Sequence, residues 1–217
     1  GDADRLGVID DKGRFIHPNE IMMLLYYYLV KFKGWKGDVV RNIATTHVLD
    51  DMAKDFGYKC HEVPVGFKHI SAKIDQTNAV LGGESSGGLT VRGHISGKDG
   101  IFAASLLIEM MAVTKKCLSV ILKEIYNKYG YRVMIENSYT FDPEDKNRLT
   151  NILYTAKLIP DFSIQIDKLS YEDGLKVYFK NGGWLVARFS GTEPLLRVFA
   201  EMPDEKQAFD VCNRMKG

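Results

Sequence analysis

A short run near the C-terminus places two arginines around a turn of small hydroxylic residues. The run reads RFSGTEP and begins at Arg188, and Arg197 follows it closely. A turn through Ser190, Gly191 and Thr192 can direct backbone N–H groups and hydroxyls at one anion, because glycine lets the backbone approach closely. Both guanidinium groups can add bidentate contacts to a phosphate. The run therefore predicts a phosphate site, with an ordinary hairpin loop carrying surface arginines as the alternative.

The N-terminus carries two carboxylates, Asp2 and Asp4, that are separated by one residue and followed by Arg5. Alternate residues of an extended segment point the same way, so both carboxylates can face one hard cation. Mg²⁺ favours sites in which a few carboxylates act together with substrate phosphate oxygens. Solvated charges at a chain terminus are the alternative. The pair therefore indicates a candidate magnesium site.

A glycine-rich loop, GGESSGG, occupies residues 82–88 and follows a short apolar run. We name it the glutamate loop. Its glycines surround Glu84 and Ser86, whose side chains can read the hydroxyls of a polyhydroxylated ligand at the end of a strand. A flexible tight turn without a ligand is the alternative.

The order of these three loops resembles that of the α-D-phosphohexomutase family, the phosphoglucomutases and phosphomannomutases. The metal loop of that family ends in Gly-Asp-x-Asp-Arg, its sugar loop reads Gly-Glu-x-Ser-Gly, and its phosphate loop reads Arg-x-Ser-Gly-Thr-Glu-Pro. All three motifs are matched here. Residues 65–68 are similar to the family's sugar-orientation loop, and residues 94–100 to its His-x-x-x-Lys-Asp-Gly run. The resemblance therefore covers almost the whole chain.

The resemblance implies a reaction in which a phosphoryl group moves between the anomeric and terminal oxygens of a hexose phosphate, with glucose 1-phosphate and glucose 6-phosphate as the expected pair. In the family, a Mg²⁺-bound phosphoserine donates the phosphoryl group, and the bisphosphate intermediate returns its other phosphate to the serine. The family's serine loop, of the type Thr-Ala-Ser-His-Asn-Pro, has no counterpart in these 217 residues. We therefore expect the C-terminal half of a mutase, with an incomplete Mg²⁺ site and the missing N-terminal domains as its partner.

The resemblance also implies roles for individual positions. Asp2 and Asp4 would be metal ligands, and Arg5 would lie beside the transferring phosphate. Lys98 would be a proton shuttle near the phosphoserine, with His94 on the same loop. The implied substrate contacts are Glu84, Ser86 and Lys68 on the sugar side, and Arg41, Arg188, Ser190, Gly191, Thr192 and Arg197 on the phosphate side. For Lys98, His94 and Lys68, an ordinary solvated side chain is the alternative.

Two other classes of function compete with that of a mutase fragment. One is a stand-alone phosphosugar-binding protein that is built from the same domains and has no mutase activity. The other is a different Mg²⁺-dependent phosphate enzyme that shares the phosphate loop by chance.

Composition and charge favour a cytoplasmic protein that acts on small molecules. Hydrophobic residues make up 45% of the chain, charged residues make up 26%, and the formal net charge is +1. A nearly neutral chain offers no electrostatic basis for binding nucleic acid or an anionic membrane. The longest apolar stretch, residues 21–30, is too short to span a bilayer. Cys60, Cys117 and Cys212 are far apart, which favours buried thiols over a disulfide framework or a zinc site.

Strands alternate with helices in the first 130 residues. Helices are predicted over residues 18–33, over 46–56 and from an Asp99 cap to about 130, with strands over 38–44, 58–63 and 79–81. In the last of these helices, the apolar face is expected to carry Ile101, Ala104, Ile108 and Met111. Such alternation predicts an α/β domain at residues 1–130, with three layers, a mixed but mostly parallel sheet, and ligand loops at the carboxyl ends of its strands.

The pattern changes after residue 130, where strands follow one another directly. A helix is predicted over residues 142–154, strands over 163–169, 175–179, 184–189 and 195–200, and a last helix after residue 203. Residues 131–217 therefore predict a smaller α+β domain. It resembles the TATA-binding-protein-like C-terminal domain of the family.

Overall fold

A computed structural model describes residues 2–191 and 193–216, and the chain divides into two units, Gly1–Gly130 and Tyr131–Gly217. Each unit has its own sheet and its own apolar core. The first unit contains a mixed, mostly parallel sheet, whereas the sheet of the second unit is antiparallel. The α/β fold class predicted from the sequence is therefore confirmed.

The first unit combines a two-stranded hairpin, a four-stranded sheet and the helices around them. Its strands are β1 (Val8–Ile9), β2 (Phe15–Ile16), β3 (Val39–Asn42), β4 (Cys60–Val63), β5 (Leu81–Gly83) and β6 (Leu89–Val91). Its helices are α1 (Pro18–Lys31), α2 (Val48–Phe56), α3 (Phe67–Thr77), α4 (Gly100–Thr114) and α5 (Leu118–Tyr129). The strand order in the sheet is β4-β3-β5-β6, and β6 runs antiparallel to β5.

Helices cover both faces of this sheet, because neighbouring residues of a strand point to opposite faces. Val39 packs into a core with residues of α1, α2, α4 and α5, whereas Val40 packs with Ile70 and Ile74 of α3. The predicted three layers are thus present. Because β3, β4 and β5 are parallel, their carboxyl ends lie at one edge of the sheet.

Helix boundaries follow the capping signals of the sequence. Pro18 occupies the first turn of α1, the His17 side chain accepts a backbone hydrogen bond, and Glu20 completes a capping box. Helix α1 ends at Lys31, slightly before the predicted end. Helix α2 ends at Phe56 as predicted, and Gly57 directly after it has a left-handed backbone with φ 81°, which glycine adopts without strain.

The single long helix predicted at the end of the first unit is wrong, because the structure has two helices there. Helix α4 ends before Lys115, which adopts a left-handed backbone with φ 57°. In the first turn of α5, Asp11 accepts hydrogen bonds from the backbone N–H and the hydroxyl of Ser119. The break lets both helices bury residues in one core, which a single straight helix of that length could not do.

The apolar face predicted for α4 is also wrong. Ile101 and Ile108 are 70% and 63% exposed. The buried face carries instead Ala103, Leu106, Leu107 and Met110. Because apolar residues surround most of this helix, their spacing does not select the side that faces the core.

Strand β6 and helix α3 are among the elements of the first unit that the sequence prediction lacks. Strand β6 has only three residues, too few to show a pattern of alternation. Helix α3 buries only Ile70 and Ile74, so its apolar stripe is narrow and is interrupted by charged residues.

The longest apolar stretch of the sequence, residues 21–30, lies in α1. Most of its side chains are buried in the core of the first unit. Among the helices of residues 2–191 and 193–216, none combines the length and the apolar character that crossing a bilayer requires.

The three cysteines differ in their surroundings. Cys212 is buried, and burial raises the pKa of its thiol to about 11, as expected for an unreactive thiol. Cys60 is half-buried. Cys117 is exposed just before α5, so the expectation of a buried thiol is wrong there.

The second unit is a five-stranded antiparallel sheet with helices packed on it. Its strands are β7 (Val133–Thr140), β8 (Ile166–Ser170), β9 (Leu175–Phe179), β10 (Trp184–Phe189) and β11 (Leu195–Met202). Its α-helices are α6 (Lys146–Thr150) and α7 (Glu205–Arg214). The strand order is β7-β11-β10-β9-β8.

The strands of the second unit largely match the prediction, and β9 and β10 have the predicted bounds. The helical segment predicted over 142–154 is present as a 3₁₀ turn over Pro143–Asp145, then α6, then a wider π turn over Asn151–Thr155. Strand β7 is the element that the prediction lacks. Its residues are half-buried or exposed, and its apolar run, residues 133–135, is too short to reveal a strand.

Candidate functional site

The loops that follow β3, β4 and β5 meet at the carboxylate of Glu84. Its Oε1 atom accepts hydrogen bonds from Asn42 Nδ2 at 3.1 Å and from the Gly66 N–H at 3.0 Å. Asn42 ends β3, and Gly66 lies after β4. Glu84 is only 7% exposed. The parallel order of the strands therefore holds this carboxylate in one orientation, as a group that reads hydroxyls requires.

The glutamate loop itself is a hydrogen-bonded turn. The Glu84 N–H donates to the Gly88 carbonyl at 2.9 Å, and the Gly87 N–H donates to the Glu84 carbonyl at 3.0 Å. The Ser85 N–H donates to Thr45 Oγ1 at 3.1 Å. Ser86 lies exposed at the tip. The loop thus presents a hydroxyl beside a fixed carboxylate.

The N-terminal segment runs between the glutamate loop and the start of α4. The Leu6 N–H donates to the Gly87 carbonyl at 3.4 Å, and the Gly100 N–H donates to the Ala3 carbonyl at 3.0 Å. Asp4 Oδ2 lies 2.6 Å from Lys98 Nζ. The structure therefore brings together three segments that the sequence marks separately.

The side chains of Asp2 and Asp4 are of the type that binds Mg²⁺, but two ligands alone do not complete a site. Carboxylate oxygens are the donors that Mg²⁺ prefers. Asp2 and Arg5 are exposed, whereas Asp4 is half-buried and faces Lys98, whose hydrogen bond lowers the pKa of the Asp4 carboxyl. Within the described part of the chain, no group of three His, Cys, Asp or Glu side chains could hold a metal ion. Asp2 and Asp4 therefore remain two candidate ligands, and their role in a magnesium site stays a prediction.

His94 is held against the start of α4. Its Nε2 atom lies 2.9 Å from Asp99 Oδ2, and its ring stacks on Phe102 with 3.9 Å between the ring centroids. Asp99 in turn caps α4 by accepting the Phe102 N–H at 2.8 Å. His94 also borders a cavity of about 200 Å³ lined by residues of α3 and β6. It supports the loop that carries Lys98, and its role in catalysis stays a prediction.

Acid is expected to weaken the start of α4 through Asp99. The backbone hydrogen bond from Phe102, followed by the contact with His94, lowers the pKa of the Asp99 carboxyl. Such a carboxyl stabilises the fold above its unfolded pKa of about 4, and this contribution is lost as the pH falls through the folded pKa. We expect Asp99→Asn to lower the urea midpoint at pH 7 and to have much less effect at pH 3. Equal losses at both pH values would contradict this.

Arg41 is buried among carboxylates. Its side chain is 3% exposed, and its Nε and Nη2 atoms donate to the two oxygens of Asp50 at 2.7 and 3.1 Å. Its Nη1 atom donates to Glu62 at 2.6 Å. A substrate phosphate would have to displace both carboxylates. The expected phosphate contact of Arg41 does not fit this arrangement, whereas Lys68 is exposed in the first turn of α3.

Arg188 and Arg197 lie side by side in the second unit. They are paired residues of the neighbouring antiparallel strands β10 and β11. Arg188 Nε donates to Asp173 Oδ1 at 2.8 Å, and Arg197 Nη2 donates to Glu193 Oε2 at 3.2 Å. The Arg197 Nε atom is buried and has no hydrogen-bond partner among the described residues. An anion placed here would meet two guanidinium groups.

The turn between β10 and β11 continues from these arginines. The Ser190 N–H donates to the Leu195 carbonyl at 2.8 Å, and the Glu193 N–H donates to Ser190 Oγ at 3.3 Å. Gly191 is exposed, and a Cβ atom built on it meets no atom of the described residues within 4 Å. An anion could therefore approach the backbone at Gly191. Thr192 lies outside the described residues.

Sequence reasoning missed the partners of the marked residues. Asn42 had a usable signal, because it is a polar residue at the end of an apolar strand. Gly66 lies in a segment that is marked only by the family resemblance. It contributes a backbone N–H, which the residue type does not reveal. Asp173 precedes a turn glycine and shows nothing in the sequence that links it to Arg188.

Family models match both units. The model described as "Phosphoglucomutase/phosphomannomutase, alpha/beta/alpha domain III" matches residues 17–129. The model described as "Phosphoglucomutase/phosphomannomutase, C-terminal domain" matches residues 147–217.

Full-length relatives are similar to this chain over part of their length. A phosphoglucomutase/phosphomannomutase of Thermococcus kodakarensis is 31% identical over 208 residues, which are 96% of this chain and 43% of that protein. A phosphoglucosamine mutase of Rubrobacter xylanophilus is 28% identical over 219 residues, or 45% of its length. The crystal structure of a putative phosphomannomutase from Thermus thermophilus superposes with a TM-score of 0.80 at 27% identity, covering 100% of this chain and 44% of that one. The chain thus spans less than half the length of these proteins.

Proposed function

Because the matched models place the chain in the phosphoglucomutase/phosphomannomutase family, we propose that it carries the sugar-reading and phosphate-anchoring parts of a phosphohexomutase. The convergence of three loops on Glu84 is the observation that supports this most directly. An α/β domain binds its ligand at the carboxyl ends of its parallel strands, and the buried, fixed carboxylate lies at that edge.

The sugar side of the proposal rests on the glutamate loop. Glu84 and Ser86 bind hydroxyls of the hexose, and Lys68 approaches from the first turn of α3. A carboxylate is an acceptor with two oxygens, and Oε1 is already used by Asn42 and Gly66. Oε2 is the atom that faces the sugar.

The phosphate side of the proposal lies in the second unit. Arg188, Ser190, Gly191, Thr192 and Arg197 hold the phosphate that is not transferred. Charge-assisted contacts from guanidinium groups fix the orientation of a phosphate as well as its position. This anchoring allows the other end of the sugar to be presented to the reacting groups.

The reacting phosphoryl group is served by the N-terminal segment and by Lys98. Asp2 and Asp4 would hold Mg²⁺, which neutralises charge on a transferring phosphoryl group. Arg5 lies beside that group, and Lys98 moves the hydroxyl proton. The relatives include proteins named for glucose, mannose and glucosamine phosphates, and we propose glucose 1-phosphate and glucose 6-phosphate as substrates, in the cytoplasm.

Titration of the chain with glucose 6-phosphate and with inorganic phosphate tests the sugar contact. Glu84→Gln keeps the shape of the side chain and removes its charge. We expect it to weaken glucose 6-phosphate binding roughly three- to tenfold, because a neutral hydrogen bond replaces a stronger charge-assisted one, and to leave inorganic phosphate binding unchanged. The control is Glu124→Gln, which changes a surface carboxylate that is paired with Lys116. If Glu84→Gln binds both ligands like the unaltered chain, the sugar-reading role is wrong.

A coupled assay from glucose 1-phosphate to glucose 6-phosphate separates a mutase part from a self-sufficient enzyme. We expect no turnover by the purified 217-residue chain, because covalent phosphoryl transfer needs a nucleophile and no counterpart of the family's serine loop occurs in the sequence. The activity should stay at background with glucose 1,6-bisphosphate added. Bisphosphate-dependent turnover by the chain alone would contradict this.

A further inference from the structure

Lys98 reaches Asp4 by crossing the glutamate loop at Gly88. A Cβ atom built on Gly88 would lie 2.2 Å from Lys98 Cδ and 2.8 Å from Lys98 Cγ. The third nearest atom, at 3.5 Å, is Cε of the same lysine. Among the described residues beyond its chain neighbours, no atom comes nearer than the Lys98 side chain, so the lysine fills the space that a side chain at position 88 would need.

The backbone next to Lys98 is fixed, which limits the paths by which the lysine can reach Asp4. The Asp99 N–H donates to the Leu89 carbonyl at 3.3 Å. Gly100 packs so closely on the N-terminal segment that a Cβ atom there would lie 2.4 Å from the Arg5 carbonyl oxygen. The lysine backbone is thus held beside the glutamate loop, and its side chain passes over Gly88 to the carboxylate.

We propose that Gly88 is a positioning residue whose missing side chain lets Lys98 pair with Asp4, so that any side chain at position 88 breaks this ion pair. Gly88 does not have the left-handed backbone that would by itself require glycine. The nearest atoms to its Cβ position in the described part of the chain, beyond its chain neighbours, are those of Lys98.

The pairing has a consequence for the proposed magnesium site. Lys98 places an ammonium group 2.6 Å from an oxygen of Asp4, so a divalent cation must compete with it for that carboxylate. Position 88 therefore controls how readily Asp4 accepts a metal. This consequence rests on the proposed function, whereas the position of Lys98 does not.

Acylation of lysines, followed residue by residue by mass spectrometry, tests the position of Lys98 without metal or sugar. We expect Gly88→Ala to raise the acylation rate of Lys98 roughly two- to fivefold, as loss of a partly exposed ion pair implies. Asp4→Asn should raise it similarly. Gly97→Ala is the matched control on the same loop, because its Cβ, apart from its two chain neighbours, would meet only Ile95 at 3.7 Å among the described residues. An unchanged Lys98 rate in Gly88→Ala or in Asp4→Asn overturns the proposal.

Urea unfolding of a mutant cycle tests the contact even if Gly88→Ala folds poorly. Alanine at position 88 should lower the unfolding midpoint when Lys98 is present and should have no effect in a Lys98→Ala chain. An equal loss in both backgrounds would show that another group occupies the space, and the proposal would fail. Mn²⁺ titration of the same variants tests whether Lys98 competes with a divalent cation for Asp4. Tighter Mn²⁺ binding by Gly88→Ala and Lys98→Ala supports this competition. Unaltered Mn²⁺ binding, with Lys98 acylation raised, would overturn only the magnesium site.

Discussion

Replacing Arg188 with alanine is expected to weaken binding of inorganic phosphate about tenfold to hundredfold. A hydrogen-bonded contact between a guanidinium group and a phosphate contributes about 1.5–3 kcal/mol, which corresponds to this range of dissociation constants. The large effect follows from the register of β10 and β11, which sets Arg188 beside Arg197. Isothermal titration with phosphate and with glucose 6-phosphate measures it, and both ligands should be affected alike.

Two variants make the Arg188 result specific. Arg148→Ala removes an exposed arginine that pairs with Asp145 outside the proposed site, and it should leave phosphate binding unchanged. Asp173→Asn should strengthen phosphate binding, because Asp173 Oδ1 accepts the Arg188 Nε hydrogen bond and competes with the ligand for the cation. If Arg188→Ala binds phosphate as well as Arg148→Ala does, the segment is a hairpin loop with surface arginines.

Replacing Arg41 with alanine is expected to destabilise the first unit by about 2–4 kcal/mol without weakening phosphate binding. The buried guanidinium joins two carboxylates, and its loss removes the cation that both of them share. The expected loss of stability is at the lower end of the range for a broken buried ion pair, because the Asp50 and Glu62 side chains are 42% and 28% exposed and can bind water. Urea unfolding measures the change.

The control for Arg41 is an ion pair on the surface. Lys116→Ala breaks the exposed pair with Glu124 and should cost no more than about 1 kcal/mol. A small effect of Arg41→Ala on stability, together with a clear loss of phosphate affinity, would support the phosphate contact that is predicted for Arg41 from the sequence.

Three of the candidate cations are paired with carboxylates of the chain. Lys98 faces Asp4, Arg188 faces Asp173, and Arg197 faces Glu193. A phosphate at the arginines would have to replace a carboxylate of the chain, whereas a metal ion at Asp4 would have to replace the Lys98 ammonium group. The net strength of binding is then the difference between two charge-assisted contacts, which makes the neighbouring carboxylates as informative to mutate as the arginines.

Several elements follow from local chemistry and were accessible from the sequence. The bounds of β9 and β10 match because each is a short, mostly buried strand that ends at turn residues. Helix α1 starts at Pro18 because its capping box is encoded within four consecutive residues. The positions of the three marked loops were visible for the same reason, since each motif is complete within a few residues.

Other elements depend on packing that no local pattern encodes. The break at Lys115 and the buried face of α4 could not be read from the sequence, because that helix is apolar around most of its circumference. Helix α3 was missed because it buries only a narrow stripe against β3. In each case the neighbouring element decides which residues are covered.

The sequence by itself determined which residue types could do chemistry, and in which order along the chain they occur. Only the tertiary structure decided their partners, because Arg41 meets Glu62, Asp4 meets Lys98, and Glu84 meets Asn42 across separate elements. A charged side chain has the same one-letter code whether it faces solvent, a ligand or a buried carboxylate. The parallel order of β3, β4 and β5 brings the loops of the first unit to one edge. Both Arg41 and the candidate anion contact Arg188 pair with carboxylates, and burial distinguishes them, because their side chains are 3% and 35% exposed.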